Sequence, residues 1–242
     1  MTSVNVYETV RAMAYSMRDI EFGDAVFISH KRPFYLPRGV RFGKIDRLND
    51  IDAFNHACVY KLQDYVKTDY MLLVHADGFV VHPECWEDEF LKYDYIGSPW
   101  PVGENDAAYT DASGRLCRVG NSVSVRSKRL LEYPSKHDLP WERDREGFYN
   151  EDTFLCVRHR AEMESEGLKW APFEMALRFG REKPLPENEG LDTFIFHKWW
   201  GENEKYPQFR SPYKRFKDCV RPLLFWRRTR SWRDAHGFED EG

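Results

Sequence analysis

Apolar positions recur along this chain with two alternating periods, and the alternation predicts an α/β fold. Val6, Val10, Met13, Ala14 and Met17 share one side of a helix over residues 4–18. Residues 24–29 (DAVFIS) predict a strand, 31–39 (KRPFYLPRG) a loop, and 41–47 a weakly alternating second strand. A helix follows over 49–67, with Ala53, Phe54, Ala57, Val59, Tyr60 and Leu62 on its apolar side. The run 70–74 (YMLLV) is too short for an independent helix and predicts a strand buried on both faces. It stops at His75-Ala76-Asp77-Gly78, where a carboxylate and a glycine sit just past the strand.

Phe79, Val80 and Val81 extend as a short strand, and Pro83 stands at the first position of a helix over 83–93. Residues 94–97 predict a brief strand, 98–101 (SPWP) a rigid turn, and 102–117 a polar loop. Residues 119–126 alternate with period two and lead into a short helix at 127–133, then a loop to 149. Asn150 is placed to cap a helix that ends at Gly167. The pattern over 168–180 is irregular, 182–192 is a loop, and 193–196 is a last strand with His197 just past its end. Strands alternating with helices predict a mixed, mostly parallel sheet flanked by helices.

A chain of 242 residues buries roughly 70–75% of its unfolded surface and needs no disulfide staples. Its net charge of −4 hides an asymmetry: residues 205–233 carry +9 and the remainder −13. An acidic body argues against duplex nucleic acid as a partner. The division predicts a main domain over 1–208 and a basic, aromatic tail over 209–242. In the tail, Leu223, Leu224, Phe225, Trp226 and Trp232 interleave with arginines. That composition suits an anionic membrane surface, or packing on the acidic body. Cysteines at 58, 85, 117, 156 and 219 form no CxxC pair, and the start lacks a signal-peptide apolar run. The expected setting is therefore reducing and cytoplasmic, peripheral on the inner face of the membrane if the tail binds lipid.

Four groups of residues carry candidate chemistry. Asp77-Gly78 offers a carboxylate for a divalent cation (Mn²⁺ or Mg²⁺) shared with phosphates, with glycine letting the backbone turn close to a ligand; Asp-Gly is also a common turn. Glu151 and Asp152 sit at a helix start, where the dipole favours acids whatever their function. As a general base, either would contribute roughly 10²–10⁴-fold in rate. His197 follows an apolar strand, where a neutral imidazole would complete a metal site. Gly120, Asn121 and Ser122 open a strand along which substrate can approach the backbone. Arg126 on the same strand offers a planar fork for phosphate; an ordinary edge strand is the plain alternative. A rival zinc site would pair His82-x-x-Cys85 with Cys156-x-x-His159. No GxxxxGK[ST] loop occurs, which argues against a P-loop nucleotidyl- or phosphotransferase.

In order, HADGFVVHPECWEDEFLKYDYIGSPW, VGNSVSVRSKRLL, NEDTFL and FIFHKWWGEN resemble a mainly microbial family of glycosyltransferase-like domains with the GT-A fold. The resemblance runs from about residue 4 to 208. It implies a metal-dependent transferase that uses a nucleoside-diphosphate sugar. Asp77 then matches the metal carboxylate, His75 the place of the motif's first acid, Asp152 or Glu151 the base, and His197 a late metal ligand. Three departures stand out. His75 replaces an acid, Ser122-Val123 stand where relatives tend to have two glycines, and only residues 1–4 precede the first helix where a nucleotide-holding strand is expected.

The expected reaction is inverting transfer of a sugar to a hydroxyl of a glycan or lipid-linked acceptor, with Trp100 and Trp199 stacking on sugar faces. The alternative is a non-catalytic nucleotide- or carbohydrate-binding module.

Overall fold

The computed structural model describes residues 1–103, 106–143 and 147–211. The expected tail lies almost entirely outside them, and its membrane reading lies there too. Met1–Pro207 forms one contiguous unit. Helix α1 (Val6–Ser16) packs across a short strand β4 (Gly78–Val80). Tyr15 meets Phe79 edge-on at 5.5 Å, and Ser16 Oγ accepts from Val80 N at 3.2 Å. β1 (Ala25–Ser29) and β2 (Val40–Lys44) pair in parallel from Ala25↔Val40 to Ser29↔Lys44. Helix α2 (Ile51–Tyr60) starts at Asp50, whose carboxylate accepts from Ala53 N at 2.8 Å and so satisfies one of the orphan donors of the first turn.

Two three-stranded sheets follow. The first has the order β3 (Tyr70–Leu73), β6 (Val119–Ser127), β5 (Tyr95–Pro99). The second has the order β4, β8 (Ile195–His197), β7 (Gly180–Arg181). β6 is antiparallel to both neighbours, as is β4 to β8, while β1–β2 and β7–β8 are parallel. The expected mixed sheet is found, but as separate small sheets whose pairings are mostly antiparallel, which corrects the expectation of mostly parallel strands. The described residues of the link from β5 to β6 contain one 3₁₀ turn, Ala107–Tyr109, and no crossover helix, and the long β6 returns between two strands that point the other way.

β3 is half-buried at a sheet edge rather than covered on both faces. Its residues and those of β1 line an apolar cavity of about 650 Å³, with Met13, Met17, Ile20 and Phe194. Residues 1–4 form no strand; Thr2 N donates once to Ile28 O at 2.9 Å.

The helix expected over 83–93 is instead two 3₁₀ turns, Pro83–Cys85 and Asp88–Lys92, with Trp86 extended between them. Extension places the Trp86 ring against Phe90 and Phe194, at centroid distances of 5.5 and 5.1 Å. Residues 173–179, irregular in pattern, form α6 (Phe173–Phe179). Phe79, Phe90, Phe179, Phe194 and Phe196 are fully buried, so much of the aromatic content is core.

Candidate functional site

The turn after β3 is closed by His75 N donating to Gly78 O at 2.7 Å, which leaves Ala76 and Asp77 at its tip. Gly78 then pairs with His197, the last residue of β8 rather than one past its end. A Cβ on Gly78 would lie 2.5 Å from Val123 Cγ2 and 2.7 Å from His197 Cδ2. Glycine is thus what lets β8 carry His197 up against the turn. The next residue, Lys198, has φ 64° and donates its N–H to Asp77 O at 2.7 Å.

Side-chain donor atoms of His75, Asp77 and His197 all lie within 4.8 Å of one another. His197 Nε2 is 3.9 Å from Asp77 Oδ1, and the His75 and His197 rings meet edge-on at 5.7 Å. Burial and the neighbouring His197 hold the His75 pKa well below the usual imidazole value, so its ring is neutral at pH 7 and keeps a lone pair. Burial alone would raise the pKa of Asp77, but His197 and Lys198 outweigh it and keep the carboxylate ionised. Both ring nitrogens of His197 are buried without a hydrogen bond. Glu182 Oε1 nevertheless stands 3.2 Å from Nδ1, the position of a carboxylate that orients a metal-bound imidazole. One carboxylate, two imidazoles and an orphaned buried ring nitrogen fit a divalent transition metal better than Mg²⁺, which prefers all-oxygen surroundings.

The opposing wall comes from the helical segment after Asn150, which makes no side-chain cap bond to it. α4 (Glu151–Thr153) passes into a π-turn (Phe154–Arg158), with His159 N bonding Phe154 O at 3.1 Å, and continues as α5 (Arg160–Ser165). The continuous helix expected there is thus interrupted, and its first turn presents two acids with different fates. Glu151 is buried and accepts from Arg126 Nη2 at 2.9 Å and Ser122 Oγ at 2.5 Å. Arg126 is itself fully buried, so its fork holds Glu151 and does not reach a ligand. Burial opposes the charge on Arg126, but Glu151 beside it holds the pKa above the usual value. Asp152 is largely buried beside this pair, at the lining of the cleft. Burial first, and then the charge on Glu151, push its pKa up to about 8. Ser122 links the two walls, its Oγ lying 3.3 Å from His75 Nε2.

These side chains converge on one cleft of about 500 Å³, lined by His75, Asp77, Ser122, Asp152, His197 and Lys198. Residues 1–5 and 48–51, with Phe54 and Asn55, form its other walls. Four expected substrate contacts lie elsewhere. Trp100 is buried against Tyr109, and its ring fills the space over Gly120, where a Cβ would come within 1.8 Å of Cζ2. Neither presents a sugar platform. Asn121, at φ 88°, is buried and turns its Oδ1 to Val123 N at 3.0 Å. Trp199 packs on Phe196 outside the cleft lining. Among the described residues the rival zinc ligands do not assemble, and His75, Asp77 and His197 form the one group with metal-ligand spacing. Lys198 and Glu182 belong to the site although the sequence pattern did not select them. Lys198 was flagged only by adjacency to His197, and Glu182, in a loop of charged residues, by nothing.

The chain belongs to a family described as "Protein of unknown function (DUF5672)", whose model matches residues 40–197 and so takes in every candidate ligand and acid named above. No curated protein matches it. A crystal structure of an active-site mutant of LgtC is similar over 80% of this chain and 82% of that one, at 12% identity and a TM-score of 0.48, a likeness too slight to bear on the site.

Proposed function

We propose that the protein is a metal-dependent glycosyltransferase that uses a nucleoside-diphosphate sugar and a hydroxyl acceptor. One observation carries the reading: a His–Asp–His donor set and a carboxyl titrating near neutrality share one cleft of small-molecule size. His75, Asp77 and His197 would hold the cation, and Glu182 would orient His197 from behind. A bound divalent cation supplies Lewis-acid stabilisation of charge developing on a departing diphosphate.

The protein's own groups supply the rest. Asp152, poised at about 8, accepts the proton of the acceptor hydroxyl as the oxygen attacks the anomeric carbon. Attack from the face opposite the diphosphate gives inversion. Arg126 and Ser122 fix Glu151, whose negative charge keeps Asp152 basic. Lys198 holds Asp77 in the absence of a cation and is within reach of an arriving phosphate. The test is turnover of a panel of UDP- and GDP-sugars with Mn²⁺ or Zn²⁺, scored as sugar released or transferred. No turnover of any donor, together with tight nucleotide binding, would replace the transferase reading with a binding module. That second reading has one observation in its favour, the ammonium of Lys198 already neutralising Asp77.

A further inference from the structure

The loop between β1 and β2 is built unlike the rest of the surface. From residue 30 to 45 the sequence reads HKRPFYLPRGVRFGKI, with five Lys or Arg and no acid. Of these, Arg41 is committed to Asp24 at 2.7 Å. Lys31, Arg32 and Arg38 are exposed, and none makes an ion pair among the described residues. Between them Phe34 is fully exposed (109%) and Tyr35 is 64% exposed. The loop is nonetheless held in place. Leu36 packs against the cluster of Val10, Phe27 and Val40, and Pro33 and Pro37 on either side are half-buried. Two aromatic rings are therefore displayed outward on a seated base, flanked by cations that make no ion pair among the described residues, Arg32 lying over the Phe42 ring at 5.8 Å.

We infer that this loop docks the protein on an anionic phospholipid surface, with Phe34 and Tyr35 entering the headgroup boundary and Lys31, Arg32 and Arg38 meeting lipid phosphates. The pattern is the one that interfacial segments use. Apolar rings gain from leaving water, and each nearby cation adds attraction that salt screens. Duplex nucleic acid, its bases already stacked, or an acidic peptide would reward the cations but leave Phe34 without a role. The acidic charge of the remaining body makes a basic loop the side from which an anionic surface is approached. The loop leaves β1 at Ser29, next to Ile28, whose carbonyl bonds Thr2 in the cleft wall. Docking here would bring the cleft near the membrane. The inference does not rest on the transferase reading, because its readout is lipid binding alone.

The experiment is flotation of the full-length chain with vesicles of phosphatidylcholine, with and without phosphatidylserine, in low and high salt. Binding is expected only with phosphatidylserine and is expected to weaken in high salt. Phe34→Ser with Tyr35→Ser should weaken it about tenfold or more, and Lys31→Glu with Arg32→Glu by a similar factor. All four positions are exposed, so the folded state should survive, and unchanged circular dichroism and melting confirm it. When vesicles are present, a Phe34→Trp variant should show blue-shifted emission beyond that of the wild type, whose eight tryptophans include Trp226 and Trp232 of the tail. No difference from the wild-type spectrum would count against contact at this loop. Equal flotation of wild type and both double variants overturns the inference. So does failure of the wild type to float, or binding to heparin that is insensitive to the loss of Phe34 and Tyr35.

Discussion

Lys198 gives its ammonium to the carboxylate of Asp77, which also faces Nε2 of His197. A lysine thus stands where a metal ion would be drawn, and the two cations compete for one carboxylate. Lys198→Met should therefore tighten Mn²⁺ binding roughly five- to tenfold, measured calorimetrically without nucleotide, by removing the internal competitor. Unchanged affinity would show that the ion does not use Asp77.

Asp152 makes the reaction depend on pH in a stated direction. Its pKa of about 8 leaves most molecules protonated at pH 7, so the transfer rate should rise with pH and level off above about 8. Stability should move the other way. A carboxyl whose folded pKa is raised favours folding while protonated, so its contribution is fullest below the unfolded value near 4. That contribution is lost as pH climbs through about 8. Asp152→Asn should abolish transfer and raise Tm by a few degrees at pH 8.5, with a smaller gain at pH 5.

The Arg126–Glu151 pair is sealed from solvent, with side chains 0% and 3% exposed. Removing one partner strands the other charge. Arg126→Met should cost about 3–5 kcal/mol in denaturant unfolding. The double change Arg126→Met with Glu151→Leu should recover much of that loss.

Gly78 tests how the site is held together. Gly78→Ala places a methyl 2.5 Å from Val123 and 2.7 Å from His197, so β8 must shift. About 1–3 kcal/mol of stability should be lost. Metal affinity should fall as well, since His197 moves away from Asp77.

The alternating periods of the sequence located most strands, α1, α2 and the helix Lys128–Lys136 because those segments bury one regular face. They misjudged 83–93, where the Trp86 ring needs an extended backbone to reach Phe194, a contact over a hundred residues away. Antiparallel β6 was likewise hidden, since strand direction depends on where a loop returns and not on the strand's own pattern. At the site, His75, Asp77, Asp152 and His197 were selected by residue type, and the fold brings them to one cleft. Trp100, Gly120 and Arg126 carry residue types that suit a ligand, yet each is consumed by packing or by a buried pair. Only tertiary contacts separate those two outcomes, and Glu182 enters through them alone.

The central claim is that His75, Asp77 and His197 together bind a divalent cation that recruits a nucleoside diphosphate. Titrating Mn²⁺ into the full chain, followed by the loss of its free paramagnetic signal with and without UDP, measures this directly. One ion per chain is expected, bound more tightly with UDP, its binding abolished by Asp77→Asn and by His197→Ala. UDP binding that is unchanged in EDTA and in both variants would contradict it.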